Sequence, residues 1–194
     1  MAIKGTSTRS DYLEWDTMLL LLQKLEKEGE YKFQLLIAIG SYTGLRISDL
    51  LKLRWCDVLE KNSLEIIEGK TGKKRKININ PALVSTISRL HQKMNVKDDT
   101  QYLFVNRFGT KPINVQFVNR KLKEINKKYL NGNKINFSSH SFRKTLGRHV
   151  WAINDYSEKS LVLLGEMFNH SSVKITKIYL GIKEQEIGDV YLNL

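Results

Sequence analysis

Six side chains in a fixed order carry the chemistry of this chain: Arg46, Lys70, His140, Arg143, His170 and Tyr179. Arg46 stands in Thr43-Gly44-Leu45-Arg46-Ile47-Ser48-Asp49-Leu50. His140 and Arg143 stand in His140-Ser141-Phe142-Arg143. His170 stands in Asn169-His170-Ser171-Ser172, nine positions before Tyr179. These residue types suit attack on a phosphodiester. Two guanidinium forks pair with non-bridging oxygens and hold the charge that grows on a pentacoordinate phosphorus. Arginine does this better than lysine because its planar fork meets two oxygens at once. Imidazole can hydrogen-bond a phosphate and move protons. A phenol becomes a nucleophile once its proton is removed and its oxygen is aimed. His140 and Arg143 are three apart, so on a helix they share a face and can address one phosphate.

The elements that must position these groups read as mostly helical. Asp16-Thr17 can cap a helix through about Glu28, with Leu19, Leu20, Leu22 and Leu25 on its buried side. A second apolar helix spans about Glu30 to Tyr42 and stops at Thr43-Gly44, and helical spacing resumes at Ile47, Leu50, Leu51 and Leu53. Ser63–Glu68 and Arg75–Asn80 alternate as strands around a turn at Gly69 and Gly72. Asn80-Pro81 is a helix start, running to about Met94. Tyr102–Val105 reads as a short strand. A basic helix from Val115 to about Leu130 ends at Asn131-Gly132-Asn133. Further helices are expected over His140–Ile153, Glu158–Phe168 and Val173–Leu180. The expectation is an α+β fold, mainly α-helical with a small antiparallel β-sheet, in one domain over residues 1–194.

Charge points to a partner. Lys and Arg outnumber Asp and Glu by 32 to 20, a net +12 with pI near 9.7, which favours polyanions such as nucleic acid or an acidic membrane. The longest apolar runs, Met18–Leu22 and Leu35–Ile39, are too short to span a bilayer, and the N-terminus lacks a signal-peptide core. A cytoplasmic protein acting on double-stranded DNA, with no membrane partner, is expected. The single cysteine, Cys56, follows Trp55 in an apolar stretch and reads as a buried structural thiol. No zinc cluster, P-loop, Gly-rich nucleotide fingerprint or acidic Mg²⁺ cluster is legible, so no metal or other cofactor is expected.

In order and spacing, these motifs resemble the tyrosine recombinase (phage integrase) family from about Thr43 to Tyr179. The resemblance implies a catalytic-domain fold and Tyr179 as the nucleophile, which forms a 3′-phosphotyrosine that a free 5′ hydroxyl can reverse. Arg46, Arg143, His140 and His170 are then expected at the phosphate. It also implies a lysine on the hairpin that protonates the leaving 5′ oxygen. Lys70, which precedes Thr71 and starts the turn, fits that role, with Lys73 as its rival, while Lys73, Lys74, Arg75 and Lys76 read as a DNA-backbone patch. Two departures are visible: Asp49 stands where the family usually has Glu, and Asn169 where it commonly has Gly. Asn tolerates the left-handed conformation, and Asp49 offers a shorter carboxylate in the same orienting role. The helical N-terminal domain that closes a clamp in most members is expected to be missing from this chain. Assembly of four protomers on paired DNA sites is implied, with the segment after Tyr179 (Ile182, Ile187, Val190, Tyr191, Leu192 and Leu194 among charged residues) as a candidate contact. Two competing readings are a DNA-binding module that never cuts and a type IB topoisomerase. The tyrosine argues against the first, and the His170-to-Tyr179 spacing with the chain length against the second.

Overall fold

The computed structural model describes residues 10–130, 135–182 and 191–192. Its described elements are α1 (Trp15–Lys27), α2 (Tyr31–Thr43), α3 (Ile47–Leu50), α4 (Trp55–Val58), β1 (Ser63–Ile67), β2 (Lys74–Asn78), α5 (Pro81–Lys93), α6 (Val115–Tyr129), α7 (Ser139–Ile153), α8 (Glu158–Phe168) and α9 (Val173–Leu180). Strands β1 and β2 pair antiparallel, with Leu64 opposite Ile77 and Ile66 opposite Arg75. The expected mainly helical α+β architecture is therefore what the chain adopts.

Helix α2 is apolar on every side, and Phe33, Leu35, Leu36, Ile37, Ala38 and Ile39 are all buried. Such a helix is stable only when neighbours cover it all round. Helices α1, α5 and α7 do so. The α2–α7 contact is close: a Cβ at Gly40 would lie 2.5 Å from Phe142 Cδ2. A second apolar cluster, with Leu146, Leu161, Leu164, Phe168, Leu180 and Ile182, joins α8 and α9 to α7. The far half of the chain is thereby brought against the end of α2, where Arg46 begins α3.

Local chemistry sets the helix ends. Asn80 Oδ1 accepts from Ala82 N ahead of Pro81, as expected. Ser138 and Ser141 form a reciprocal capping box that starts α7 beside His140. Ser172 caps α9 by accepting from Ile175 N. Gly44 (φ 61°) and Asn169 (φ 52°) end α2 and α8 in the left-handed region. At Gly44 a side chain is also excluded by space, since a Cβ would lie 2.9 Å from Leu146 Cδ2.

Four expectations need correction. Helix α1 begins at Trp15 behind Glu14, so Asp16 lies in its first turn rather than at its cap, where its charge still complements the helix dipole. Its buried stripe is Met18, Leu21, Leu22 and Leu25, one face at helical spacing, which turns Leu20 outward (57 % exposed). Tyr102 and Val105 form isolated bridges, to Arg54 and Pro112, rather than a strand. Cys56 is exposed: on the short α4 Trp55 takes the buried side, and the next residue is turned about 100° away. The expected stop at Asn131-Gly132-Asn133 lies outside the described residues, as does most of the segment after Ile182.

Gly147 on α7 is where α9 comes closest, with Leu180 Cδ2 2.5 Å and Phe168 Cε2 3.0 Å from the position of a Cβ. Gly147→Ala gains roughly 1 kcal/mol in helix propensity. It loses roughly 1–3 kcal/mol by overpacking two fully buried side chains. A net destabilisation of about 1 kcal/mol is expected in denaturant unfolding, and a stabilised variant would show that the α7–α9 contact is looser than described.

Candidate active site

Arg143 is buried (5 % exposed) on α7. Its Nη1 donates to Gly44 O at 2.7 Å and its Nη2 to Phe168 O at 2.6 Å, and its guanidinium lies 4.4 Å from the centroid of the Phe168 ring. Both acceptors lie at helix C-termini, where carbonyls lack partners and the helix dipole is negative. Arg46, just past the end of α2, donates from Nη1 to Glu68 Oε2 at 2.7 Å and from Nη2 to the same Phe168 carbonyl at 3.5 Å. Arg75 reaches in from β2, donating to Thr43 O at 3.2 Å and to Glu68 Oε1 at 3.4 Å. Three guanidiniums thus gather at one place against Glu68 and Asp49. Burial, together with Arg46 and Arg75, pushes the Arg143 pKa down to about 10.

Tyr179 sits half-buried on α9. Its ring meets Phe168 edge-on at 5.8 Å and His170 at 5.2 Å, and Lys144 Nζ is 5.5 Å from its centroid. The phenol donates to His140 O at the 3.5 Å limit. Burial pushes its pKa up to about 12, while Arg143 and Arg46 pull the other way. His170 follows the left-handed Asn169, with Nδ1 3.1 Å from Thr176 Oγ1 on α9. Burial first, then the charges of Arg143 and Arg46, bring its pKa down to about 4, so the ring is neutral at pH 7. His140 stands on the first turn of α7, its pKa lowered by desolvation, Arg143 and Lys144.

Arg46, Arg143, His170 and Tyr179 are brought together as expected, with His140 at the margin beside Tyr179. The hairpin is divided. Lys70 is exposed and makes no hydrogen bond or ion pair among the described residues. Lys73 instead reaches the site, with Nζ donating to Asn169 Oδ1 at 3.0 Å. Lys73, Lys74, Arg75, Glu68 and His170 border a cleft of about 340 Å³. Lys74 and Lys76 are exposed, as a backbone-contacting patch requires, but Arg75 belongs to the arginine cluster. Asp49 is buried and accepts from Gly69 N at 3.1 Å, which fastens the root of the hairpin to α3. Sequence reasoning passed over Glu68, Phe168 and Thr176. Glu68 carried a signal: Leu64, Ile66 and Glu68 alternate onto one face of the strand, and Leu64 is core.

Comparison with known proteins agrees with this geometry. The pattern that defines the phage integrase family matches residues 11–186. "Probable integrase/recombinase YoeC" of Bacillus subtilis is 32% identical over 176 residues, covering 88% of this chain and 92% of that protein. Tyrosine recombinase XerC of Chlamydia caviae is 30% identical, covering 85% of this chain but 52% of that protein. Among solved structures, the XerA recombinase superposes with a TM-score of 0.70 at 21% identity, over 95% of this chain and 65% of that one. The XerH site-specific recombinase bound to palindromic difH substrate, a post-cleavage complex, gives 0.68 at 19% identity, over 98% of this chain and 55% of that one. Arginines gathered at two helix ends beside a histidine and a tyrosine, on this fold and with these relatives, lead to one assignment: the chain belongs to the phage integrase family of tyrosine recombinases.

Proposed function

We propose that this protein is a site-specific DNA recombinase that cuts and rejoins double-stranded DNA through a covalent 3′-phosphotyrosine. The observation that carries the reading is the placement of Tyr179 beside a buried arginine cluster whose guanidiniums outnumber the carboxylates that face them. A backbone phosphate entering this cluster exchanges water for the Arg46 and Arg143 forks, which stabilise the charge of the pentacoordinate state. Neutral His170 donates a hydrogen bond to a phosphate oxygen, and His140 lies at the edge of the same site. Tyr179 Oη, its proton lost to solvent, bonds to phosphorus as the P–O5′ bond breaks, and Lys70 gives the leaving oxygen its proton. Attack by a free 5′ hydroxyl runs the same steps backwards and rejoins the strand.

The exposed Lys74 and Lys76 hold the flanking DNA backbone. Exchange between two duplexes needs several protomers, four in our reading. Exposed Ile153, Tyr156, Val162 and Leu163 along α7 and α8 offer an apolar surface for a second copy. The protein would act in the compartment that holds its DNA, the cytoplasm.

The decisive test is a suicide DNA duplex that traps the cut strand. Wild-type protein should give a denaturant-stable adduct, and joining of strands from two duplexes distinguishes strand exchange from simple relaxation. Tyr179→Phe should bind the same DNA and give no adduct; an adduct from that variant would show that another residue attacks.

A pH profile follows from the two shifted groups. With Tyr179 at about 12 and His170 at about 4, neither titrates near neutrality in the free enzyme. Log kcat/KM should therefore climb with a slope near one from about pH 5.5 to about pH 8.5, as the phenolate fraction grows. A plateau in that range would mean that loss of the phenol proton does not govern the rate. The hairpin gives a separate test. Neutralising exposed Lys74 and Lys76 together should lessen the log–log salt dependence of DNA binding by roughly 0.9 for each lost phosphate contact. An unchanged slope would remove the hairpin from the interface.

A further inference from the structure

Glu68 is 2 % exposed, yet it follows a strand that leads into an exposed, lysine-rich turn. Its two oxygens serve three segments. Oε2 accepts from Arg46 Nη1 at 2.7 Å and from Thr71 Oγ1 at 2.9 Å, and Oε1 accepts from Arg75 Nη1 at 3.4 Å. Charge compensation explains the two arginines, since a buried carboxylate must be paired. It does not explain Thr71. A threonine hydroxyl on a turn is ordinarily satisfied by water, and here it is drawn inward to the same oxygen that holds the phosphate-facing arginine.

The turn is closed around Glu68 through its backbone as well. Glu68 O accepts from Thr71 N at 3.3 Å and from Gly72 N at 2.8 Å, and Glu68 N donates to Lys73 O at 3.0 Å. Its root is pinned by Gly69 N donating to Asp49 Oδ1. Lys70 lies between that pinned root and the Thr71 hydroxyl. Its ammonium is free to swing on four carbons, but the place from which it swings is set on both sides.

We propose that Glu68 is a positioning residue whose Oε2 ties Arg46 to Thr71, so that the turn carrying Lys70 keeps a fixed distance from the arginines and delivers a proton to the leaving oxygen. This rests on the recombinase reading above for its chemistry. Burial alone would raise the Glu68 carboxyl, but its bonds to Arg46 and Thr71 and the charge of Arg75 hold it below its ordinary range, so the tie is ionised at neutral pH. In the step served, the P–O5′ bond breaks and the electron pair stays on O5′. One proton passes from the Lys70 ammonium to that oxygen, leaving a neutral amine that solvent reprotonates.

The test compares two suicide duplexes, one with the ordinary 5′ bridging oxygen and one with sulfur there. A thiol is far more acidic than an alcohol, so sulfur leaves without a proton donor. Thr71→Val cuts the tie while leaving Glu68 on Arg46. It should slow single-turnover cleavage of the oxygen substrate about tenfold, and that of the sulfur substrate less than about twofold, with DNA affinity unchanged. Glu68→Gln should slow both substrates, because Arg46 loses its anchor as well. Equal losses for Thr71→Val on the two substrates, or none on either, would overturn the proposal. A second measurement needs no DNA: in free protein, Thr71→Val should speed amide hydrogen exchange at position 71 and at Gly72, whose N–H groups donate to Glu68 O, several-fold. Unchanged exchange there also overturns the tie. Should wild-type protein form no adduct with either duplex, the recombinase reading fails, and the exchange comparison alone decides whether Glu68 holds the turn.

Discussion

Arg143 is the group on which the rest of the site depends. A guanidinium withdrawn from water costs several kcal/mol unless every side of it is answered. Here the C-termini of α2 and α8 answer it with Gly44 O and Phe168 O, and the Phe168 ring lies over its face. Those bonds require the two helices to end at one point. Gly44 and Asn169 end them with left-handed backbone, and the chain then turns directly into Arg46 on one side and His170 on the other. One buried cation therefore fixes where Arg46 and His170 emerge. It also gives Arg143 a structural role, because its loss would strand the carbonyls at two helix ends.

The electrostatics follow from this crowding. Arg46, Arg75 and Arg143 repel one another, and the carboxylates beside them leave an excess of positive charge. Burial first, and then that excess, depresses His170, which stays neutral, while the same excess works against the desolvation that keeps Tyr179 protonated. An entering phosphate would change each of these balances in the same direction, stabilising the arginines and making the histidines easier to protonate. An excess of positive charge of this kind favours an anion.

Much of this was legible in the sequence, for physical reasons. Asn80-Pro81 and the glycine stop at Gly44 are local signals, satisfied within a few residues. The helix over 173–180 with Tyr179 nine after His170 follows from local spacing as well. What sequence did not reveal depends on partners distant along the chain. Arg75 reads as one more basic residue in a lysine run, yet it alternates with Ile77 and Ile79 toward the interior and finds Thr43 and Glu68 there. The bond from Lys73 to Asn169, 96 residues away, is likewise one that no local pattern reveals. Cys56 and Leu20 went astray through helical phase, which an apolar run longer than one stripe leaves undetermined.

The bonds to Arg143 come from main-chain oxygens, and every residue type carries that oxygen. Nothing about the side chain at 168 is needed to accept the Nη2 bond, only that the helix ends there. Drift in the residues around the cluster can therefore proceed without dismantling it, provided the lengths of α2 and α8 are kept. An insertion or deletion of one residue within either helix should be far more damaging than many substitutions, because it would rotate the terminal carbonyl by about 100° away from the guanidinium. Relatives of this fold can thus diverge widely in letters while remaining strict in register.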